Sequence, residues 1–170
     1  MNILNHTLML EFPEIKKRIK QIPKTSKVID VGCGIRPFHD IECEQHICLE
    51  PHDEYIEILE SWLPQDRKVI IHKGKADYLE KFEKEDTTVL LLDVIEHMTK
   101  AEGLKVLKIS EAFTHAIIFT PYGFKEQDGG NPDAWGLKGG YWQEHRSGWE
   151  PEDFPNWTVF SMGHSILATR

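Results

Sequence analysis

Apolar and largely β-branched runs set the rhythm of this chain. They lie at Val28 to Val31, Ile47 to Leu49, Val69 to Ile71, Thr88 to Leu92 and Ala116 to Thr120. Runs of this length without strict alternation fit parallel strands covered on both faces. Between them the spacing turns helical. Tyr55, Ile56, Leu59, Trp62 and Leu63 predict a helix over 53–63, stopped by Pro64. Leu104, Leu107 and Ala112 predict a helix over 101–113 with those residues toward the core. Shorter helices are expected at 37–44, 78–83 and 150–154. Ile15, Ile19 and Ile22, set among basic residues, predict an amphipathic helix over 5–21 that ends near Pro23. Two last runs, 157–160 and 165–169, flank Met162-Gly163-His164 and read as an antiparallel hairpin. Strands alternating with helices indicate an α/β fold.

The 170 residues suit one domain over 1–170, with a helical segment at 1–26 and a long loop at 121–150. That loop holds Gly123, Gly129, Gly130, Gly136, Gly139, Gly140 and Gly148 together with Trp135, Tyr141, Trp142 and Trp149. Aromatics argue against disorder, so a functional loop is expected. The net charge of −8 disfavours a phosphate backbone as partner, which normally needs a basic surface. The one basic cluster, Lys16 to Lys27, reads as a solvated helix face. Neither a membrane span nor a signal peptide is apparent. Three unpaired cysteines, Cys33, Cys43 and Cys48, point to a reducing compartment, and a cytoplasmic location is expected.

Chemistry enters where the first run ends, at Asp30-Val31-Gly32-Cys33-Gly34-Ile35-Arg36-Pro37. Glycines directly after a strand let the backbone turn tightly and a ligand come close. The second run ends at Glu50, twenty positions after Asp30, where a carboxylate can accept hydrogen bonds from both hydroxyls of a ribose. A dinucleotide-binding loop would carry a third glycine, but Pro37 stands there. Asp30 would also repel a pyrophosphate, whereas it suits a ligand with an ammonium group.

At these residues the chain resembles the class I S-adenosylmethionine-dependent methyltransferases, whose first motif is D/E-x-G-x-G. Asp93-Val94-Ile95-Glu96-His97 resembles the D-V-x-E-H segment after their fourth strand. His145-Arg146-Ser147-Gly148-Trp149 resembles an H-x-S-G-W segment of small-molecule and sugar-modifying members. The resemblance implies a Rossmann-like, doubly wound, mostly parallel seven-stranded sheet of order 3-2-1-4-5-7-6, with strand 7 antiparallel. It implies S-adenosylmethionine as cofactor, held by Asp30, Gly32, Cys33, Gly34, Glu50, Asp77 and Asp93. Asp77 matches the place that accepts from the adenine amino group; the other reading is a cap on the helix that follows, and both can hold at once. The segment 1–26 would cover the ligand pocket, and the loop 121–150 would close its acceptor side, with its tryptophans as apolar walls.

The expected reaction is O-methylation of a small molecule or sugar. A hydroxyl acceptor needs a base, and His145 and His97 are the candidates. The alternative for His145 is a loop histidine bonded to a carbonyl, and for His97 a residue that only orients the helix start. No metal is expected: a set from Asp93, His97 and His145 and a zinc site from Cys43, His46 and Cys48 are both disfavoured. The Asn/Asp-Pro-Pro-Tyr motif of amino-methylating nucleic-acid enzymes is missing after the fourth strand, in keeping with the acidic charge. Two other readings stay open: a catalytically silent S-adenosylmethionine-binding domain and a nicotinamide-dependent oxidoreductase.

Overall fold

The apolar runs become strands. A computed structural model describes residues 13–63, 68–128, 130 and 133–170. Helix α1 covers 13–19. The strands are β1 (Lys27–Val31), β2 (Gln45–Glu50), β3 (Val69–Lys73), β4 (Thr87–Leu92), β5 (His115–Pro121), β6 (Thr158–Met162) and β7 (Ser165–Thr169). Helices α2 (Asp53–Trp62), α3 (Lys100–Ser110) and the short α4 (Gly140–Gln143) lie between them. The sheet runs β3-β2-β1-β4-β5-β7-β6, with β7 antiparallel to both neighbours, as expected.

Alternate side chains leave the sheet on opposite faces. Ile29, Val31, Val89, Leu91, Ala116 and Ile118 pack with Val106, Leu107, Trp149 and Phe154 on one face. Val28, Leu90, Ile117 and Phe119 pack with Ile15, Ile19 and Phe38 on the other. Each central strand is therefore apolar at consecutive positions. Val31 pairs with Leu49 and Leu91, and Leu92 with Phe119, so β1, β2, β4 and β5 all end at one edge. The loops after these strands meet there, where open α/β sheets bind ligands.

Three expectations change. No helix forms over 37–44. Pro37 has no N–H to give, Phe38 N–H donates to the Asp30 carboxylate (2.6 Å), and Glu44 N–H donates to Ser26 O (2.9 Å). Helix α3 buries Gly103, Val106, Leu107 and Ser110, while Leu104 and Ala112 face solvent. The reason is Trp149, whose ring lies on Gly103: a Cβ there would stand 2.7 Å from Cη2. The bare glycine admits the indole, and that contact rotates the helix. The segments expected as helices at 78–83 and 150–154 are 3-10 turns, Ala76–Lys81 and Pro151–Asp153.

The described part of the first helix is shorter than expected. The start of the predicted 5–21 span lies outside the described residues, as does Pro64. Its basic flank is a partnered surface: Lys16 meets Asp40, Lys24 meets Glu42 and Lys27 meets Glu83. Among the described residues no helix is long and apolar enough to cross a membrane.

Candidate active site

Two groups of residues meet at the strand ends. The first surrounds the glycine loop. Gly32 (φ +60°) donates its N–H to Leu49 O at 2.7 Å, and Gly34 (φ +57°) donates to Glu50 Oε2 at 2.9 Å. Both glycines need a left-handed backbone that side chains disfavour. Val94 leaves no slack at Gly32, where a Cβ would stand 3.1 Å from Cγ2. Glu50 is buried, and its Oε1 accepts from His52 N–H at 3.0 Å. Burial pushes its pKa up to about 7, while the two backbone donors work the other way. A buried carboxylate at the end of β2 thus fixes the glycine loop through Oε2 and His52 through Oε1.

The second group stands after β4. Asp93 has a left-handed backbone (φ +56°) and donates its N–H to Phe119 O at 2.9 Å. The chain then turns through Ile95–His97. Segment 144–149 is strapped onto that turn. Arg146 N–H donates to Glu96 O (2.7 Å), Ser147 Oγ to Ile95 O (3.2 Å), and Trp149 Nε1 to Ser147 Oγ (3.0 Å). The strap brings His145 beside His97, with ring centroids 4.9 Å apart.

The tautomers follow from the partners. His145 Nδ1 lies 2.7 Å from Lys125 O, and His97 Nδ1 lies 3.3 Å from Glu144 O. A carbonyl only accepts, so each Nδ1 carries the proton and each Nε2 keeps its lone pair. Burial lowers both pKa values, and the His97 charge lowers that of His145 further, so both rings are neutral at pH 7. Glu96 is buried beside them. Its Oε2 accepts from Thr120 Oγ1 (3.1 Å), and Oε1 has no hydrogen-bond donor among the described residues. Burial pushes the Glu96 pKa up to about 7. One ligand atom from each of Glu96, His97 and His145 lies within 4.8 Å of the others, a spacing that a divalent cation can bridge.

No protein-family model and no curated protein matches the sequence. Solved structures do match. The chain is similar to the methyltransferase domain of bacterial CtHen1, at 17% identity and a TM-score of 0.55, with 98% of each chain covered. It is similar to magnesium protoporphyrin IX methyltransferase from Synechocystis PCC 6803, solved with bound S-adenosylhomocysteine, at 12% identity and 0.60, covering 99% and 87%. An O-methyltransferase family protein from Burkholderia thailandensis matches at 13% and 0.62; this chain is covered to 97% and spans 57% of that one.

The chain has the Rossmann-like fold of the S-adenosylmethionine-dependent methyltransferases.

Within that fold the sequence-predicted residues separate. Gly32, Gly34 and Glu50 meet at one point, and Asp93, Glu96, His97 and His145 gather across the same sheet edge. Asp77 is exposed in the first turn after β3, and the turn has no side-chain cap, so the capping alternative falls away. Asp30 is buried, and its Oδ2 serves Phe38 N–H and faces His46 Nε2 at 3.7 Å. Its present work is to fix the loop after the glycines. Cys33 turns its side chain toward Cys48, Leu59 and Leu63, so only its backbone borders the pocket.

The carbonyl bond of the alternative reading for His145 is present. It fixes the ring without using Nε2. The histidine thus satisfies the structural reading and stays available for chemistry.

Sequence reasoning missed Glu96 as a site residue and Tyr55 as the anchor of the loop, and it put Trp135 at the acceptor side rather than over Gly34. The signal for Glu96 was its place beside His97 in the fourth-strand motif. Tyr55 read only as an apolar helix position, and nothing in the pattern tied Trp135 to it.

Proposed function

We propose that this protein is an S-adenosylmethionine-dependent methyltransferase that methylates a hydroxyl oxygen of a small molecule or sugar. The observation that carries the reading is the pairing of two sites at one sheet edge: a glycine loop with a buried carboxylate, and a neutral histidine pair with Glu96. When bound, the cofactor supplies a sulfonium methyl group. Gly32, Cys33 and Gly34 would border it with backbone, Glu50 would accept from both ribose hydroxyls, and Asp77 from the adenine amino group. Asp93, held in a left-handed conformation, would border the methyl-donor end, and Asp30 supports the loop from below.

His145 Nε2 would take the acceptor's hydroxyl proton as that oxygen attacks the methyl carbon. His97, 4.9 Å away, would position it or share the proton. The acidic net charge favours an uncharged or small acceptor over a nucleic-acid backbone.

A second reading of the same cluster is favoured by the unmatched Oε1 of Glu96. Glu96, His97 and His145 offer one carboxylate and two imidazoles, a donor set suited to a divalent cation, which would lower the pKa of a bound hydroxyl.

One experiment separates the versions. Incubate the protein with methyl-labelled S-adenosylmethionine and a panel of hydroxyl-bearing acceptors, with EDTA or with added Mg2+, Mn2+ or Zn2+. Label transfer that persists in EDTA indicates the histidine base alone. Transfer that appears only with metal indicates the cation. Cofactor binding with no transfer to any acceptor favours the catalytically silent domain.

A further inference from the structure

The loop 121–150 does not serve the acceptor side alone. Its part from Asp133 to Gln143 docks over the glycine loop instead. Asp133 organises it: Oδ1 accepts from Trp135 N–H (3.0 Å) and Leu137 N–H (2.8 Å), and Oδ2 accepts from Gly139 N–H (2.8 Å) and the Tyr55 hydroxyl. Gln143 closes the tie, donating through Nε2 to Tyr55 Oη (3.0 Å) and accepting Ala134 N–H at Oε1 (3.0 Å). Tyr55 itself is buried in α2, so the turn is anchored to the rigid part of the fold.

This anchored turn presents Trp135. Its ring meets the Tyr55 ring edge-on at 4.8 Å and lies on Gly34. A Cβ on Gly34 would stand 2.6 Å from Trp135 Cζ3 and nearer still to Cη2. The indole therefore fills the space over the second glycine, on the same residue whose N–H is held by Glu50. A ligand whose ribose reaches Glu50 and whose remainder crosses the glycine loop needs that space.

We infer that Trp135 is a gate on the cofactor site: seated on Gly34 it fills the space over the glycine loop, and S-adenosylmethionine or S-adenosylhomocysteine displaces it on binding. The inference rests on the cofactor reading above. The backbone of the turn is anchored, but the indole is 37% exposed, and a side chain at the adjoining Gly136 (φ +74°) would meet open space, so the ring has room to swing off Gly34. A site closed for most of the time binds with an apparent dissociation constant raised by the inverse of its open fraction. The gate thus weakens cofactor affinity without touching a single cofactor contact.

The test is calorimetric titration of S-adenosylhomocysteine into the wild type, Trp135→Ala and Tyr55→Phe. Trp135→Ala removes the gate and should tighten binding at least about threefold. Tyr55→Phe removes the hydroxyl that holds Asp133 and should tighten it in the same direction. In parallel, 5-fluorotryptophan labelling with 19F NMR follows Trp135, its resonance identified by its loss in Trp135→Ala. That resonance should move toward its solvent-exposed position as ligand is added to the wild type. Unchanged or weaker binding in Trp135→Ala would make the indole a passive wall and overturn the gate while leaving the cofactor reading intact. No binding to any of the three proteins, with no 19F shift, would overturn the cofactor reading and the gate with it.

Discussion

His145→Gln should lower methyl transfer by roughly a hundredfold or more and leave the dissociation constant for S-adenosylhomocysteine within about twofold. The asymmetry follows from position. His145 is held by Lys125 O and by the strap onto residues 95–97, in the group after β4. Its partners are Lys125, Gln127 and His97, all outside the glycine loop. Glutamine can keep a donor toward the Lys125 carbonyl, so the loop should hold, but it has no basic lone pair to offer. The wild-type rate should show a rising limb in its pH profile. The base works only when neutral, and burial lowers its pKa below the ordinary 6.5, so the limb lies below pH 6.5 and the rate is level at neutral pH. Loss of the limb in His145→Gln would assign it. A folded variant with full turnover would leave His145 with only the carbonyl-bonding role.

Glu50→Ala should weaken S-adenosylhomocysteine binding at least tenfold. Two ribose hydroxyls would lose a charged acceptor, and hydrogen bonds to charged groups contribute about 1.5–3 kcal/mol each, where about 1.4 kcal/mol is a factor of ten. The same substitution strips the partners of Gly34 N–H and His52 N–H, so the loop itself loosens. Glu50→Gln separates the two effects, since it keeps one acceptor oxygen and most of the volume. It should fall between the wild type and Glu50→Ala, with a thermal melt confirming the fold of each.

The wild type should also bind more weakly as pH falls through about 7. Glu50 titrates there because burial raises it, and ribose donors favour its ionised form, so binding releases a proton. An unchanged constant in folded Glu50→Ala would move the ribose site elsewhere.

Much of this was legible in the chain because the strongest signals are local. A buried parallel strand must be apolar at consecutive positions, so β1, β4 and β5 announced themselves at Val28, Thr88 and Ala116. Glycines at 32 and 34 marked a backbone that only glycine adopts comfortably. Glu50 was placed by its distance from Asp30. What failed depended on partners far away in sequence. Leu104 was expected toward the core, and only Trp149, seated on Gly103, explains why it faces solvent. Pro37 to Glu44 had length for a helix, but Asp30 and Ser26 claimed its backbone donors. Trp135 was expected near the acceptor; its place on Gly34 is set by Asp133 and Tyr55, a pairing across 78 positions that no periodicity reveals. Glu96 stood in the fourth-strand motif without a role, and its burial, under the strap of residues 144–149, is visible only in the fold.

The most direct measurement of the central claim is a pair of calorimetric titrations on the unmodified protein, one with S-adenosylhomocysteine and one with NAD. Pro37 stands where a pyrophosphate-binding loop carries its third glycine, while Glu50 and the glycines fit an adenosyl ligand. The account predicts saturable heat with S-adenosylhomocysteine and none with NAD; heat with NAD and none with S-adenosylhomocysteine would contradict it.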